Sequence, residues 1–215
     1  MIQVVKAMKK VFVLGVFFCL FLLSLFIKNT VSANSGEPQT CVGNYSYTTL
    51  SDLVVPEGQT CMIGRFNVVN GDIKVKAGAN LIICPDNDIR GDIKANRPNT
   101  VFISDQIIGL CALTAPPPKA LGITIGGDVK VEGGSNFTLL GNPLGVVAIK
   151  GNVKIKNMQT VAISQFTING DTEVKNNTDL TVTGNIIGGD LKIKGTSGTC
   201  IEQNNSVSGK LDSCP

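Results

Sequence analysis

The sequence predicts an all-β fold, a single parallel β-helix whose turns use about 19 or 20 residues each. Two observations predict it. A phrase of the form Gly-Asp-Ile-Lys-Val recurs along the chain, and short runs of alternating apolar and polar residues follow each copy. Each turn holds three such runs, divided by Gly or Asn corners, so we expect a three-sided solenoid, and a right-handed one.

Six copies of the phrase define the turns. They begin at Asn70, Arg90, Gly126, Lys150, Asn169 and Gly188. Their second residues lie 20, 36, 24, 19 and 19 positions apart, so two turns contain extra residues and the others keep the period. A weaker copy at 51–55 precedes them and a closing copy at 208–211 follows. The β-helix is therefore expected to span residues 51–213.

Apolar residues recur at fixed places in every turn. They lie two, four, ten and twelve residues after the repeated Gly, and two residues before the next one. One turn is too thin to bury these residues alone, so neighbouring turns should stack them into columns, with turns about 4.8 Å apart. The two ends of the stack need covers. We assign these to residues 34–50 and 200–215.

Residues 1–33 have the pattern of a signal peptide. A lysine-rich start, an apolar run at residues 11–27 and the small residues Val31-Ser32-Ala33 follow one another in the order that signal peptidases recognise. The run is also close to the length that crosses a bilayer, so an uncleaved membrane anchor at residues 11–27 is the alternative. Both readings place the β-helix outside the cytosol, secreted or at the cell surface.

Composition excludes some partners. The leader contains four of the 19 basic residues and none of the 16 acidic ones, so the rest of the chain is close to neutral. Nucleic acid is therefore not an expected partner, because its binding depends on a surplus of Lys and Arg. The chain has no His and no Trp. We expect no cofactor.

Six cysteines follow the leader, an even number in a chain expected to reach a compartment where disulfides persist. Proximity along the chain favours three pairs: Cys41 with Cys61, Cys84 with Cys111, and Cys200 with Cys214. Free buried thiols are the alternative. No pair has CxxC spacing, so we expect no metal site.

Extra residues fall near 110–121, around a triple proline, and near 141–145. Their composition indicates loops. Insertions on a solenoid project from an edge, where they either carry binding specificity or are tolerated decoration. The sequence leaves both readings open.

One outward position is regular enough to be a site. Between the first two inward residues of a turn lies a lysine in five turns: Lys74, Lys94, Lys130, Lys154 and Lys192. We call these residues the lysine column. Stacked lysines repel one another, and neighbouring aspartates would offset part of that repulsion. The column is either a solvated face or a contact for anionic cell-surface polysaccharide or lipid head groups.

Catalysis is the main alternative to a structural or binding role. Long β-helices that act on acidic polysaccharides use clustered carboxylates with a base. Here the aspartates repeat on successive turns, which favours a corner or ladder role, so we expect no enzyme and no catalytic residues. The repeated aspartates are Asp72, Asp92, Asp128, Asp171 and Asp190.

An ice-binding surface is a further alternative. It would use the outward column Thr60, Asn80, Thr100, Asn136, Thr160 and Asp179. The neighbouring column begins Met62, Ile82, Phe102 and is too irregular for a flat repeated array.

The Gly-Asp-Ile-Lys-Val phrase, the turns Pro56-Glu57-Gly58 and Ala77-Gly78-Ala79, and the closing segment from Cys200 to Cys214 resemble secreted bacterial β-helix proteins, most of which have no assigned function. The turns are also similar to those of bactofilins, which form filaments by stacking end to end. The resemblance covers residues 51–213. It implies a β-helix that is structural and that self-associates.

Overall fold

The computed structural model describes residues 37–106, 111, 122–142 and 147–214, and these residues coil into a parallel β-solenoid. The predicted leader at 1–33 lies outside the described residues, as do residues 110, 112–121 and 143–145 of the two predicted loops. The chain passes three sides in every turn, which we call the first, second and third face. The predicted fold class is confirmed, and the hand of the coil stays a prediction.

The described residues form 23 short strands. In chain order they are β1 Gln39–Thr40, β2 Gly43–Tyr45, β3 Thr49–Leu50, β4 Leu53–Val55, β5 Thr60–Ile63, β6 Val68–Val69, β7 Ile73–Val75, β8 Asn80–Ile83, β9 Asn87–Ile89, β10 Ile93–Asn96, β11 Thr100–Ser104, β12 Ile123–Ile125, β13 Val129–Leu140, β14 Ala148–Ile149, β15 Val153–Ser164, β16 Thr167–Ile168, β17 Thr172–Lys175, β18 Asp179–Thr183, β19 Ile186–Ile187, β20 Leu191–Lys194, β21 Cys200–Gln203, β22 Ser206–Val207 and β23 Leu211–Asp212.

Every described strand pairs with strands one turn away, in parallel. The third face is a sheet of eight strands that runs from β3 to β22, one strand for each turn. The first and second faces form a single sheet of 15 strands, because β13 and β15 continue through the corner between those faces. Gly134 pairs with Met158 at that corner, so the two strands stay paired across it.

The inward columns lie where the sequence predicts them. Pairing stacks Ile73 on Ile93 in the first face and Phe137 on Val161 in the second, and all four side chains are buried. The third face supplies the inward column that lies two residues before each repeated glycine. Six of these are fully buried: Val69, Ile89, Ile125, Ile149, Ile168 and Ile187. The core is thus a set of aliphatic columns, whose burial is the main stabilising contribution of the fold.

A buried amide ladder lies inside the corner between the second and third faces. The side-chain oxygen of Asn87 accepts a hydrogen bond of 2.8 Å from the backbone N–H of Asn67, and its amide nitrogen donates to the carbonyl of Cys84 at 2.6 Å. Near the C-terminus, Asn205 accepts from the backbone N–H of Asn185 at 3.0 Å. The ladder therefore supplies partners for backbone groups that the corner takes out of strand pairing.

The two end turns cover the core. Tyr45 pairs with Ile63, packs against the core and donates its hydroxyl to the carbonyl of Thr40 at 3.4 Å. At the other end, Glu202 takes the inward position that Val182 holds one turn earlier, and accepts a 2.7 Å bond from the amide of Asn205. The residues assigned to the two caps thus form the first and last turns.

The three expected cysteine pairs are the disulfide bonds of the structure. Cys41 and Cys61 are fully buried and join the first turn to the second, with their Cα atoms 5.4 Å apart. The pair Cys84–Cys111 holds the one described residue of the first predicted loop against the second face. The pair Cys200–Cys214, with Cα atoms 5.9 Å apart, packs over the end of the core. Among the described residues, no helix is long and apolar enough to cross a membrane.

Candidate functional site

The lysine column forms on the outside of the first face. Pairing aligns Lys74 with Lys94, Lys94 with Lys130, and Lys130 with Lys154. Glu173 takes the column position in the next turn, and Lys192 follows it. The side chains from Lys94 onward are 39 to 48% exposed. The sequence therefore predicted the position and direction of all five lysines.

The repeated aspartates form a ladder at the corner between the third and first faces. The Oδ1 atom of each accepts a hydrogen bond of 2.7 to 2.9 Å from the backbone N–H of the equivalent residue one turn later. The side chains that accept these bonds are Asp52, Asp72, Asp92, Asp128, Asn152, Asp171 and Asp190. The ladder role expected from the sequence is confirmed.

A glycine precedes every ladder residue except Asp52, which follows Ser51, and it makes room for these hydrogen bonds. A Cβ atom at Gly91 would lie 2.6 Å from Oδ1 of Asp72 and 2.5 Å from the carbonyl oxygen of Gly71. Contacts this close are not tolerated, so a larger residue would push the turns apart. The Gly-Asp pair therefore acts as one structural unit.

The second oxygen of several ladder carboxylates binds a lysine of the column. Lys94 lies 2.8 Å from Asp92 and 3.0 Å from Asp72. Lys130 lies 2.9 Å from Asp128. One carboxylate thus serves the backbone of the next turn and the ammonium group beside it. The positive charges of Lys94 and Lys130 are therefore partly neutralised by these carboxylates, which reduces the repulsion between the two lysines.

These contacts shift the acid–base behaviour of the ladder. The backbone N–H of Asp92, followed by the ammonium of Lys94, lowers the pKa of Asp72. The backbone N–H of Asn152, followed by Lys130, lowers the pKa of Asp128 in the same way. Both hydrogen bonds favour the charged form of the carboxyl group. The carboxyl groups of Asp72 and Asp128 therefore remain ionised at neutral pH.

The pattern of charges changes in the turn that begins at Lys150. Asn152 replaces the ladder aspartate there, so Lys154 has no carboxylate two residues before it. Its partner is Glu173 in the following turn, at 3.3 Å, and Lys156 binds the other oxygen of the same carboxylate at 3.3 Å. Burial opposes ionisation of Glu173, but Lys154 and Lys156 outweigh it and lower its pKa.

A shallow groove crosses the first face at this point. Its volume is about 280 Å³, and it is polar apart from one valine. The lining residues are Asp128, Lys130, Asn152, Val153, Lys154, Asp171, Glu173 and Lys192. The groove can receive charged groups that exchange with the ion pairs of the face.

A buried charged cluster at the corner between the second and third faces was missed in the sequence. Arg65 binds Oδ2 of Asp86 through its Nε atom at 2.7 Å and through Nη2, and both residues are buried. Asp105 is 5% exposed, and neither of its carboxylate oxygens has a hydrogen-bond partner among the residues that the structure describes. Burial, followed by the charge of Asp86, raises the pKa of Asp105 to about 6. No repeat marks these three residues, so only the structure shows that they meet.

The two outward columns of the second face are in register but differ in chemistry. Thr100, Asn136 and Thr160 align in one column. In the next, Met62 and Phe102 flank Ile82, and all three pack against the buried Cys84–Cys111 pair. This apolar cluster interrupts the polar surface that an ice-binding face would need.

The ladder, the lysine column and the three disulfides define the class to which this chain belongs, a disulfide-stapled parallel β-solenoid. No family model, curated protein or solved structure matches it. Within the ranges that the structure describes, no group of three or more His, Cys, Asp or Glu side chains could hold a metal ion.

Proposed function

We propose that this chain is an exported, non-catalytic β-solenoid that acts as a rigid scaffold and presents its lysine column to an anionic cell-surface polymer. The observation that carries the proposal is the register of the column. Four lysines, from Lys74 to Lys154, occupy the same outward position in four consecutive turns. Turns about 4.8 Å apart give a linear array of cations that suits a linear polyanion.

The ladder supports a non-catalytic role. A catalytic acid or base must exchange a proton near the working pH. The carboxylates of Asp72 and Asp128 instead have lowered pKa values, because one oxygen binds a backbone N–H and the other a lysine. Both oxygens of each carboxylate are engaged in contacts that hold neighbouring turns and their lysines in place.

The ion pairs of the face do not prevent an exchange of partners. The lysine side chains that pair are about half exposed. Exposed pairs contribute roughly 0 to 1 kcal/mol each, so anionic groups of a polymer can replace the internal carboxylates at little cost. Binding of this kind is weak at each lysine, additive along the column and sensitive to salt.

The disulfides support the location. Three bonds tie the first turn, a corner and the last turn. Such bonds persist in oxidising compartments and are rare in the cytosol. This agrees with the signal peptide or anchor predicted in residues 1–33.

The proposal is tested with a triple variant and a control of equal charge. The variant K130Q/K154Q/K192Q removes three cations from the column. The control T60E/T160E/T199E changes the net charge equally at exposed positions of the second face. Retention is measured on a carboxylated polysaccharide resin, and by sedimentation with vesicles that contain anionic phospholipid. Circular dichroism and thermal melting verify the fold of both variants.

We expect the column variant to lose retention on the polysaccharide at low salt, and the control to keep most of it. About 1 M salt should release the parent, because the Debye length falls to about 3 Å. Equal retention of parent and column variant would overturn the proposal. Binding to vesicles alone would replace the polymer by a membrane surface as the partner.

A further inference from the structure

One turn of the solenoid carries cations without acids. Between Lys150 and Asn169 there are three lysines and no Asp or Glu. In the two turns before it, a ladder aspartate two residues upstream binds the column lysine at 2.8 to 2.9 Å. Here Asn152 still supports the backbone ladder, because its Oδ1 accepts from the N–H of Asp171 at 2.8 Å. It supplies no charge to Lys154.

Glu173, in the next turn, supplies the negative charge that Asn152 does not. It stands at the column position where the neighbouring turns have a lysine, in register with Lys154 on one side and Lys192 on the other. Its two oxygens bind two different ammonium groups, those of Lys154 and Lys156, at 3.3 Å each. These contacts are longer than the 2.8 to 2.9 Å pairs made within single turns.

The surroundings leave space for a second carboxylate. The groove of about 280 Å³ passes this point, with Lys130 and Lys192 beside Lys154 and Glu173 on its wall. The Glu173 side chain is 33% exposed, so its carboxylate can leave the lysines by rotating into water. A bound chain of carboxylates could then take its place between Lys154 and Lys156.

We infer that the lysines of this turn form the preferred subsite for a carboxylate-bearing polymer, and that Glu173 occupies the subsite as an internal competitor. The inference rests on the proposed function and adds to it the ligand group and the residue that limits affinity. The carboxylate of Glu173 marks where a ligand carboxylate binds. Its displacement is the cost of binding at this turn.

The test is the variant E173Q, which keeps the size and polarity of the side chain and removes its charge. The control E57Q makes the same chemical change at an exposed residue near the N-terminal end of the solenoid, many turns away from Glu173. Both are measured on the carboxylated polysaccharide resin beside the parent and K130Q/K154Q/K192Q. Thermal melting checks that E173Q keeps the fold.

We expect E173Q to bind roughly 3- to 10-fold more tightly than the parent, equivalent to about 1 kcal/mol, and E57Q to match the parent. If the parent binds, the triple variant does not, and E173Q equals the parent, the competitor is refuted while the proposed function stands. An equal gain in E57Q would assign the effect to net charge and refute the competitor. If neither parent nor E173Q is retained, both proposals fall.

Discussion

At the scale of single residues, the most unusual group is the buried carboxyl of Asp105. It carries no hydrogen bond within the part of the chain that the structure describes, and it lies near the Arg65–Asp86 pair. Burial raises the pKa of Asp105 to about 6. An acid whose pKa is raised in the folded state is protonated in both states below about pH 4. It costs stability progressively as the pH rises from that unfolded value to the folded value, and the cost is constant above it.

Asp105→Asn should therefore stabilise the protein at pH 7 by on the order of 2 kcal/mol. The difference between variant and parent should grow from about pH 4 to pH 6 and then stay constant. Chemical unfolding at several pH values measures this difference directly. A difference that does not change with pH would show that Asp105 is not a buried charge.

Thr172 is the second residue that departs from its surroundings. It lies fully buried between Val153 and Leu191 in an inward column, and its hydroxyl has no hydrogen-bond partner in the described structure. Thr172→Val keeps the shape and removes the unsatisfied group, so it should stabilise the fold by about 1 kcal/mol. Thr181→Val, at a half-buried outward position of the second face, is the control, and thermal melting should show it within about 0.5 kcal/mol of the parent.

Residues that repeat were predictable, and residues that do not repeat were not. The aspartate ladder and the lysine column follow from a phrase that returns every turn. The inward Asn67, Asn87 and Asn185 were missed, because polar residues inside a solenoid contradict the apolar pattern. Their hydrogen-bond partners are backbone and side-chain groups at a corner, and the sequence pattern does not show that these groups lie there. The contacts of Glu173 with Lys154 and Lys156 were not predicted, because they join two different turns.

At the scale of strands, the alternation of apolar and polar residues determined which side faces inward. Two strands differ from the expected three runs per turn. In β13 and β15 the backbone passes the first corner without a break, so each strand has 12 residues. The corner residues Gly133 and Asn157 both adopt left-handed backbone angles there. Gly134 pairs with Met158 just past this corner, so the two strands stay paired through it.

The inward assignment is tested within β15. Ile155→Asp should cost several kcal/mol, because it places an unpaired charge between Val131 and Val174 in a fully buried column. Gln159→Asp, an exposed position in the same strand, is the control and should leave the melting temperature almost unchanged. If both variants melt with the parent by circular dichroism, Ile155 does not face the core.

At the scale of the whole molecule, the end turns matter most for assembly. Tyr45 lies over one end of the core, and Glu202 with the Cys200–Cys214 bond lies over the other. End-to-end stacking, as the likeness to bactofilins implies, would have to fit against these groups. Self-association through the ends therefore stays a prediction. The cysteine pairs were predictable because a solenoid brings residues one turn apart close together. The apolar side chains that pack around Cys111, those of Ile82, Met62 and Phe102, were not predictable in this way.

We propose that this solenoid, stapled by three disulfides, is exported, and disulfide mapping of the unreduced, exported protein tests this proposal most directly. A protease that cuts after acidic residues separates the partners, since Glu57, Asp105 and Glu202 lie between them. Mass spectrometry should then find Cys41 linked to Cys61, Cys84 to Cys111 and Cys200 to Cys214, with no free thiol in residues 34–215. Two or more free thiols, or a link between other cysteines, would contradict the account.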